Sequence, residues 1–177
     1  MQIKIIRTND TRPWTEHIAR NIGVKSAKGD YVLLIDVDYI IPKKTIEKAL
    51  TFTGDRMPIR RRFGVLDQDG DILYDYDTLK HWGVKDRWLR KDCIPGHRSQ
   101  FLIRKDLFWK LGGYDESLDG KWHYVGGAGQ RFWRAWQASE LEMSEDVLDV
   151  FMFPFGKFCN SEDRENPFGL FHELKRE

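Results

Sequence analysis

Two carboxylates, Asp36 and Asp38, stand one residue apart directly after the apolar segment 31–35. In an extended chain, residues i and i+2 project to the same side, so both carboxylates can face one ligand. Carboxylate oxygens are ligands that hard divalent cations such as Mn²⁺ or Mg²⁺ prefer. A cation held there can clamp a diphosphate and stabilise the charge on a leaving group. The alternative is an exposed acidic turn, because Asp-x-Asp is common by chance.

A strand and two helices must position this pair. Residues 31–35, Tyr-Val-Leu-Leu-Ile, are apolar throughout, which predicts a central strand covered on both faces. Ligands in open α/β sheets bind beyond the carboxyl ends of strands, where the pair stands. A short strand is predicted over 3–6, and helices are predicted over 13–28 and from Pro42 through Leu50. The first helix carries a predicted buried stripe of Trp14, Ile18 and Ile22. This alternation predicts an α/β fold.

The second half of the chain reads as shorter elements. Gln68-Asp69-Gly70 is a strong hairpin signal between the segments 60–66 and 71–74. Residues 75–99 read as an irregular excursion. The remaining predicted elements are a strand over 100–103, a short helix capped by Asp106 and ended by Gly112-Gly113, a helix over 130–138 and a strand over 147–153.

Two longer blocks surround these features. The first, residues 19–38, reads Ala-Arg-Asn-Ile-Gly, then Ala-Lys-Gly-Asp-Tyr, then the apolar strand and Asp36-Val37-Asp38. The second, residues 101–116, ends in Gly-Gly-Tyr-Asp-Glu. In this order the blocks resemble family 2 glycosyltransferases of the GT-A fold, over roughly residues 3–50 and 97–137. The resemblance implies an α/β, GT-A-like mixed sheet flanked by helices, in one partial domain over residues 1–177.

The resemblance also implies residue roles. Asp38 would be the direct ligand of Mn²⁺ or Mg²⁺, and Asp36 would reach the ribose or a metal-bound water. Arg20 and Asn21 would lie near the nucleotide of a UDP- or GDP-sugar, where a guanidinium meets phosphate oxygens in a bidentate manner. Gly112 and Gly113 would aim the catalytic candidates, Asp115 and Glu116, at the sugar. Their alternative is a helix C-cap followed by a solvated acidic turn, and for Arg20 the alternative is a surface charge.

Two departures from the family pattern stand out. The first two strand–helix units of the family fold have no counterpart here, which would leave an open sheet edge and favour a homodimer. The family's catalytic base belongs to a Gly-Gly-Glu-Asp stretch, and the corresponding positions here are Ala128 and Gly129. In an inverting reaction a carboxylate base takes the proton of the acceptor hydroxyl while the anomeric carbon is attacked. The candidates left open are Asp115, Glu116, Asp119 and His123.

Several weaker signals have simpler interpretations. Residues 67–71 resemble the start of a calcium loop, but Thr78 stands where such a loop has Glu, so a hairpin turn is favoured. His172 could complete a metal shell or be an ordinary tail histidine. Trp82 and Trp122 are loop candidates for sugar stacking. Trp133 and Trp136, three apart on a helix, are expected in the core.

Composition limits the function classes. The net charge of +1 argues against a nucleic-acid partner, even with the run Arg60–Arg62. No apolar run reaches the length of a membrane span, and residues 1–10 show no signal-peptide pattern. Cys93 and Cys159 match no metal or redox spacing and are expected to be reduced thiols, which favours the cytoplasm.

The function expected from the sequence is metal-dependent transfer of a sugar from a nucleotide diphosphate to a glycan or polysaccharide acceptor. The resemblance to family 2 implies that the reaction inverts the anomeric carbon. The alternative is a non-catalytic GT-A relative that binds a nucleotide-sugar or a glycan without transfer. Ala128 and Gly129 favour that alternative.

Overall fold

The computed structural model describes residues 5–12, 15–89, 99–119 and 127–154, with residue 128 by its backbone alone. The helices are α1 (Glu16–Ser26), α2 (Lys43–Leu50), α3 (Tyr76–His81), α4 (Asp86–Leu89), α5 (Lys105–Lys110), α6 (Gly127–Gln137) and a 3₁₀ helix, Glu116–Leu118. The strands are β1 (Tyr31–Leu34), β2 (Tyr39–Ile40), β3 (Arg56–Phe63), β4 (Val65–Leu66), β5 (Ile72–Leu73), β6 (Phe101–Arg104) and β7 (Leu148–Met152). Together they form a mixed α/β, GT-A-like sheet flanked by helices, as predicted.

The chain divides into two compact units. The first contains Met1–Asp36, Glu47–Ile59 and His97–Leu148, and the second contains Val37–Ile46, Arg60–Gly96 and Asp149–Glu177. Among the helices of the described ranges, none is long and apolar enough to cross a membrane.

The sheet of the first unit places β6 between β1 and the start of β3. Strand β1 pairs antiparallel with β6, Tyr31 opposite Arg104 and Leu34 opposite Phe101. On its other side β6 pairs antiparallel with β3, Pro58 opposite Phe101. The prediction of a central β1 covered on both faces is wrong. Within the described ranges β1 is an edge strand, and burial alternates along it, so one face alone packs on the core.

Helix α1 buries a different stripe from the predicted one. Its buried residues are His17, Asn21 and Val24, whereas Ile18 and Ile22 are half-buried. Trp14 lies outside the described residues. Hydrophobic periodicity predicted the wrong buried face because two polar side chains, His17 and Asn21, lie on the inner face of α1. Their hydrogen bonds to residues within 114–119 compensate for the cost of burying them.

Stacked aromatic rings fill the core of the first unit. Phe132 stacks on Phe101 with ring centroids 5.2 Å apart and on Phe108 at 5.3 Å. Trp133 and Trp136 pack in or against the same core, as predicted. The guanidinium of Arg56 is buried 4.0 Å from the centre of the Phe101 ring. Burial lowers the pKa of Arg56 to about 10, so it remains a cation at neutral pH.

The second unit contains β2, β7, the end of β3 and a hairpin. Strand β2 pairs antiparallel with β7, Tyr39 opposite Met152. The predicted hairpin is confirmed by the pairing of β4 with β5, and Gly70 takes a φ of 85° in its turn. The Asp67 carboxylate accepts the backbone N–H groups of Asp69 and Asp71 within that turn. Because the Asp67 carboxylate already accepts these two N–H groups, the segment is better explained as a hairpin turn than as a calcium-binding loop.

The arginine run of β3 is engaged inside the second unit. Arg60 pairs with Asp149 at 2.5 Å, and Arg62 lies 3.5 Å from the same carboxylate. Arg61 donates to the Tyr39 hydroxyl. The run is therefore a half-buried part of the strand whose side chains contact Asp149 and Tyr39.

Three further predictions need correction. Residues 5 and 6, which belong to the predicted first strand, are not in a strand, because no described strand pairs with them. Ile5 is 85% exposed. The predicted irregular excursion contains α3 and α4; Asp75 caps α3 by accepting the backbone N–H of Thr78. Asp106 does not cap α5: Arg104 is the cap residue, and the Asp106 carboxylate instead accepts from its guanidinium.

Candidate functional site

Arg20 of α1 reaches the carboxylate that follows β1. Its guanidinium donates to Asp36 Oδ1 at 2.5 Å. The other Asp36 oxygen accepts from the side-chain amide of Gln100. The Asp36 side chain remains 39% exposed. The structure therefore brings Arg20 of α1 to the Asp36 end of β1, within the first unit.

The Arg20 guanidinium is held by two more acceptors. It donates to the Ser99 carbonyl at 2.6 Å and lies 2.9 Å from Glu16, one turn earlier on α1. Its side chain is only 10% exposed. These contacts exclude the simple surface-charge interpretation. They fix a cation beside a partly exposed carboxylate. A polar ligand could bind that carboxylate with little loss of side-chain entropy, because the side chains are already held in place.

Asn21, the next residue of α1, holds the second sequence block. Its Oδ1 accepts the backbone N–H of Tyr114 at 3.0 Å, and its Nδ2 donates to the Tyr114 carbonyl at 2.9 Å. The same Nδ2 donates to Glu116 Oε1 at 2.8 Å. Two adjacent residues of α1 therefore connect the end of β1 to the Gly-Gly-Tyr-Asp-Glu segment.

Asp115 and Glu116 have different surroundings. Asp115 caps the 3₁₀ helix by accepting from the backbone and hydroxyl of Ser117, and it pairs with Arg131 of α6. The Ser117 hydroxyl, followed by the other hydrogen bonds and the Arg131 charge, holds the pKa of Asp115 below its ordinary value. Glu116 is exposed, and among the described residues only Asn21 bonds its carboxylate.

Asp119 is a structural carboxylate. It is buried and accepts the backbone N–H groups of His17 and Ile18 at 3.2 and 2.7 Å, at the start of α1. It also bonds His17 Nδ1 at 2.6 Å. A carboxylate in this position accepts the free N–H groups at the start of the helix, and its negative charge interacts favourably with the positive end of the helix dipole. Asp119 is therefore not available as the base that the sequence left open.

The two glycines after α5 make the turn that the sequence predicted. Gly112 and Gly113 take φ values of 91° and 65°, and their N–H groups donate to the Trp109 and Phe108 carbonyls. A Cβ on Gly113 would lie 3.2 Å from Asn21 Oδ1. The turn is thus both a helix C-cap and the close approach that lets the next residues reach α1.

Packing explains one departure from the family pattern. Gly129 is buried in α6, and a Cβ there would lie 3.1 Å from Ser99 Cβ. An acidic side chain at this position would displace residue 99, whose carbonyl accepts from Arg20 and from the Tyr114 hydroxyl. The absence of an acid at 129 is therefore consistent with the local packing.

The described residues do not assemble a metal centre. No group of three or more His, Cys, Asp or Glu side chains suited to a metal ion occurs among them. Both Asp36 oxygens already accept hydrogen bonds, so Asp36 fits poorly as a direct ligand. Asp38, in the second unit, is exposed and retains its carboxylate for a ligand.

Other sequence candidates fall outside the network. His172, His123, Trp122, Cys93 and Cys159 lie outside the described residues. Trp82 is half-buried in the second unit. No local signal in the sequence marked Gln100, Ser99, Arg131 or the His17–Asp119 pair, because each joins segments distant in sequence. Tyr114 could have been noticed as the aromatic residue of the second block.

Comparison with known proteins gives two similarities. The sequence model described as Glycosyl transferase family 2 matches residues 2–112. Over 157 residues the chain is 24% identical to the Uncharacterized glycosyltransferase MJ1057 of Methanocaldococcus jannaschii, an alignment covering 86% of this chain and 50% of that relative. The chain therefore spans about half the length of this relative.

Proposed function

This chain belongs to glycosyl transferase family 2, and from that premise we propose that it transfers a sugar from a UDP- or GDP-sugar to a glycan or polysaccharide acceptor. One observation carries the proposal: α1 joins Asp36, after β1, to Glu116, in the second block, through Arg20 and Asn21. Asp36 and Glu116, the residues proposed for the donor side and the acceptor side, are 80 positions apart and both bond to α1, which would hold the two substrates in a fixed relative position.

The donor end of the proposed site is Arg20 with Asp36. A ribose hydroxyl can donate to the partly exposed Asp36 carboxylate, and the Arg20 guanidinium, which pairs with Asp36 and Glu16, holds that carboxylate in position for it. Asp38 would hold Mn²⁺ or Mg²⁺ with the diphosphate oxygens, and the cation would neutralise charge on the leaving group. Asp38 is the one protein ligand in this proposal, so most of the cation's other ligands would come from the donor and from water.

For the base we propose Glu116. Its carboxylate takes the proton of the acceptor hydroxyl while that oxygen bonds to the anomeric carbon, and the nucleotide diphosphate leaves from the opposite face with inversion. Asp115 is less suited, since its lowered pKa and its pairing with Arg131 weaken it as a proton acceptor. In this proposal Asp115 positions the segment and Glu116 performs the proton transfer.

A second candidate function is donor or glycan binding without transfer. The observation in its favour is Gly129, which stands where the family has an acid and where a Cβ would lie 3.1 Å from Ser99 Cβ. In this case the Arg20–Asp36 site would bind a nucleotide-sugar and Glu116 would have no catalytic role.

Release of UDP or GDP from a panel of their sugars, with Mn²⁺ and with oligosaccharide acceptors, separates the two candidates. Glu116→Gln can still accept from Asn21, so it should keep the thermal stability of the wild type and lose at least about 100-fold in turnover. Asp115→Asn should lose less. If Glu116→Gln turns over as fast as the wild type, Glu116 is not the base. If the wild type binds nucleotide but releases none from its sugar, the second candidate is favoured.

The open edge of β1 supports a further part of the proposal, a homodimer. Within the described ranges β1 has a partner on one side only, and unpaired strand edges favour pairing with another strand. Light scattering should give a dimer mass for the wild type and a monomer mass for Leu33→Lys, which adds a charge to that edge. Ile46→Lys, an exposed position on α2, is the matched control. A monomeric wild type would contradict this part.

We also propose that the chain works in the cytoplasm, because Cys93 and Cys159 are expected to be reduced thiols.

A further inference from the structure

A second concave site lies in the first unit, at the opposite end of β1 from Asp36. It is a cavity of about 550 Å³ between the α1–β1 turn, residues 28–31, and the β6–α5 junction, residues 104–106 with Trp109. We call it the strand-start pocket. Strand β1 is four residues long, so its two ends are about 10 Å apart. A ligand in this pocket would therefore be separate from a donor at Asp36.

Two immobilised aromatic rings form part of the pocket wall. Trp109 packs edge-on against the buried Phe108, with centroids 5.1 Å apart, and its ring lies 2.9 Å from where a Cβ of Gly113 would be. It nevertheless remains 39% exposed. The Tyr31 hydroxyl donates to the Gly54 carbonyl at 2.9 Å. Rings fixed before binding lose little side-chain entropy when a ligand packs on them.

The polar groups of the pocket carry both signs of charge. Arg104 is committed to Asp106 at 2.6 Å, and the Lys105 ammonium donates to the Ala27 carbonyl at 2.6 Å. Lys28 and Asp30 are exposed, and no described residue bonds their side chains. The pocket thus offers a donor and an acceptor beside an apolar ring.

This combination fits a neutral, hydroxyl-rich ligand better than a phosphate. A phosphate would have to approach the carboxylates of Asp30 and Asp106, with two of the three cations already committed. A sugar can place its C–H face on the Trp109 ring, donate hydroxyls to Asp30 and accept from Lys28. The cavity volume suits a ligand of mono- to disaccharide size.

We propose that the strand-start pocket is a carbohydrate-binding site, with Trp109 as the stacking platform and Asp30 and Lys28 as its polar contacts. The site goes beyond the proposed transfer reaction, since it binds sugar whether or not the chain transfers one. In a transferase, a site at this end of β1 would hold part of a glycan away from the reacting atoms and increase its local concentration.

Two-dimensional NMR of the tryptophan indole N–H groups tests the proposal. Maltose, cellobiose, xylobiose and N,N′-diacetylchitobiose are titrated into the full chain, with the Trp109 signal assigned from its loss in Trp109→Phe. At least one sugar should shift that signal in a saturable manner. Calorimetric titration of the same sugar, which does not depend on the Trp109 signal, should show about tenfold weaker binding to Trp109→Ala and at least about threefold weaker binding to Asp30→Asn. These losses are expected for a stacking contact and a charged hydrogen bond.

The matched control is Tyr76→Ala, which removes an exposed aromatic ring outside the pocket and should leave the affinity unchanged. Asp30 and Lys28 are exposed, so Asp30→Asn and Lys28→Gln should keep the fold, and they decide the result if Trp109→Ala unfolds. Three outcomes would overturn the proposal: no shift of the Trp109 signal with any sugar, an affinity unaffected by both surface variants, or a response to pyrophosphate alone. UDP and GDP titrated into the same samples report separately on the Arg20–Asp36 site.

Discussion

Asn21 and Glu116 share a hydrogen bond of 2.8 Å although 95 positions separate them in the sequence. Together with the two bonds between Asn21 and the backbone of Tyr114, it attaches the Gly-Gly-Tyr-Asp-Glu segment to α1. The preceding residue, Arg20, binds Asp36. The relative placement of the proposed donor and base residues therefore depends on two consecutive side chains of one helix.

Asn21→Ala removes all three bonds and leaves buried backbone groups of Tyr114 without a partner. We expect a loss of about 2–4 kcal/mol in the free energy of unfolding, measured by urea denaturation. Lys25→Ala, an exposed change on the same helix, is the control and should stay within about 0.5 kcal/mol. A small effect of Asn21→Ala, comparable to that control, would show that the segment is held by other contacts.

Gly113→Ala and Gly112→Ala form a matched pair. Both positions have positive φ, which costs an alanine about 1 kcal/mol. A Cβ at 112 meets no atom within 4 Å, whereas a Cβ at 113 lies 2.9 Å from Trp109 and 3.2 Å from Asn21 Oδ1. Gly113→Ala should therefore be the more destabilising by at least about 1 kcal/mol in thermal or urea unfolding. Equal costs would contradict the close approach at 113.

The acidic residue Asp119 should matter more for stability than an exposed one. Asp119→Ala leaves the first N–H groups of α1 and His17 Nδ1 without their acceptor, so we expect a loss of about 2–4 kcal/mol. Asp119→Asn keeps one carbonyl oxygen and should lose less. Asp106→Ala, which removes an exposed ion pair, should cost under about 1 kcal/mol. If both alanine variants lose the same amount in urea unfolding, the capping role is wrong.

The Tyr114 hydroxyl gives a prediction for alkaline pH. Burial raises the pKa of Tyr114 above its ordinary value of 10.0, and its hydroxyl donates to the Ser99 carbonyl at 2.8 Å. The contribution of a raised pKa is complete below the unfolded value and is lost as pH rises above it, because the unfolded state then ionises first. Tyr114→Phe should cost about 1 kcal/mol near pH 8, and this difference should shrink above about pH 10. Urea unfolding at both pH values checks it; a constant difference would contradict the cause.

The short sequence motifs predicted the local geometry of the candidate site better than hydrophobic periodicity predicted which residues are buried. Asp36 follows β1 as expected, and Gly112 and Gly113 form the predicted turn, because these features depend on local chain geometry. The buried face of α1 could not be predicted, since His17 and Asn21 are buried only through partners 102 and 93 positions away. The edge position of β1 likewise depends on which strands pair, which an apolar run does not reveal.

The central claim is that this chain binds a nucleotide diphosphate at Arg20 and Asp36 with a cation at Asp38. Calorimetric titration of UDP and GDP, with Mn²⁺ and after its removal by a chelator, tests it most directly. We predict Mn²⁺-dependent binding to the wild type, loss of at least about tenfold in affinity for Arg20→Lys and for Asp36→Asn, and loss of the Mn²⁺ dependence in Asp38→Ala. Asp106→Asn is the control and should bind as the wild type does. Failure of a cooperatively folded wild-type chain to bind either nucleotide would contradict the claim.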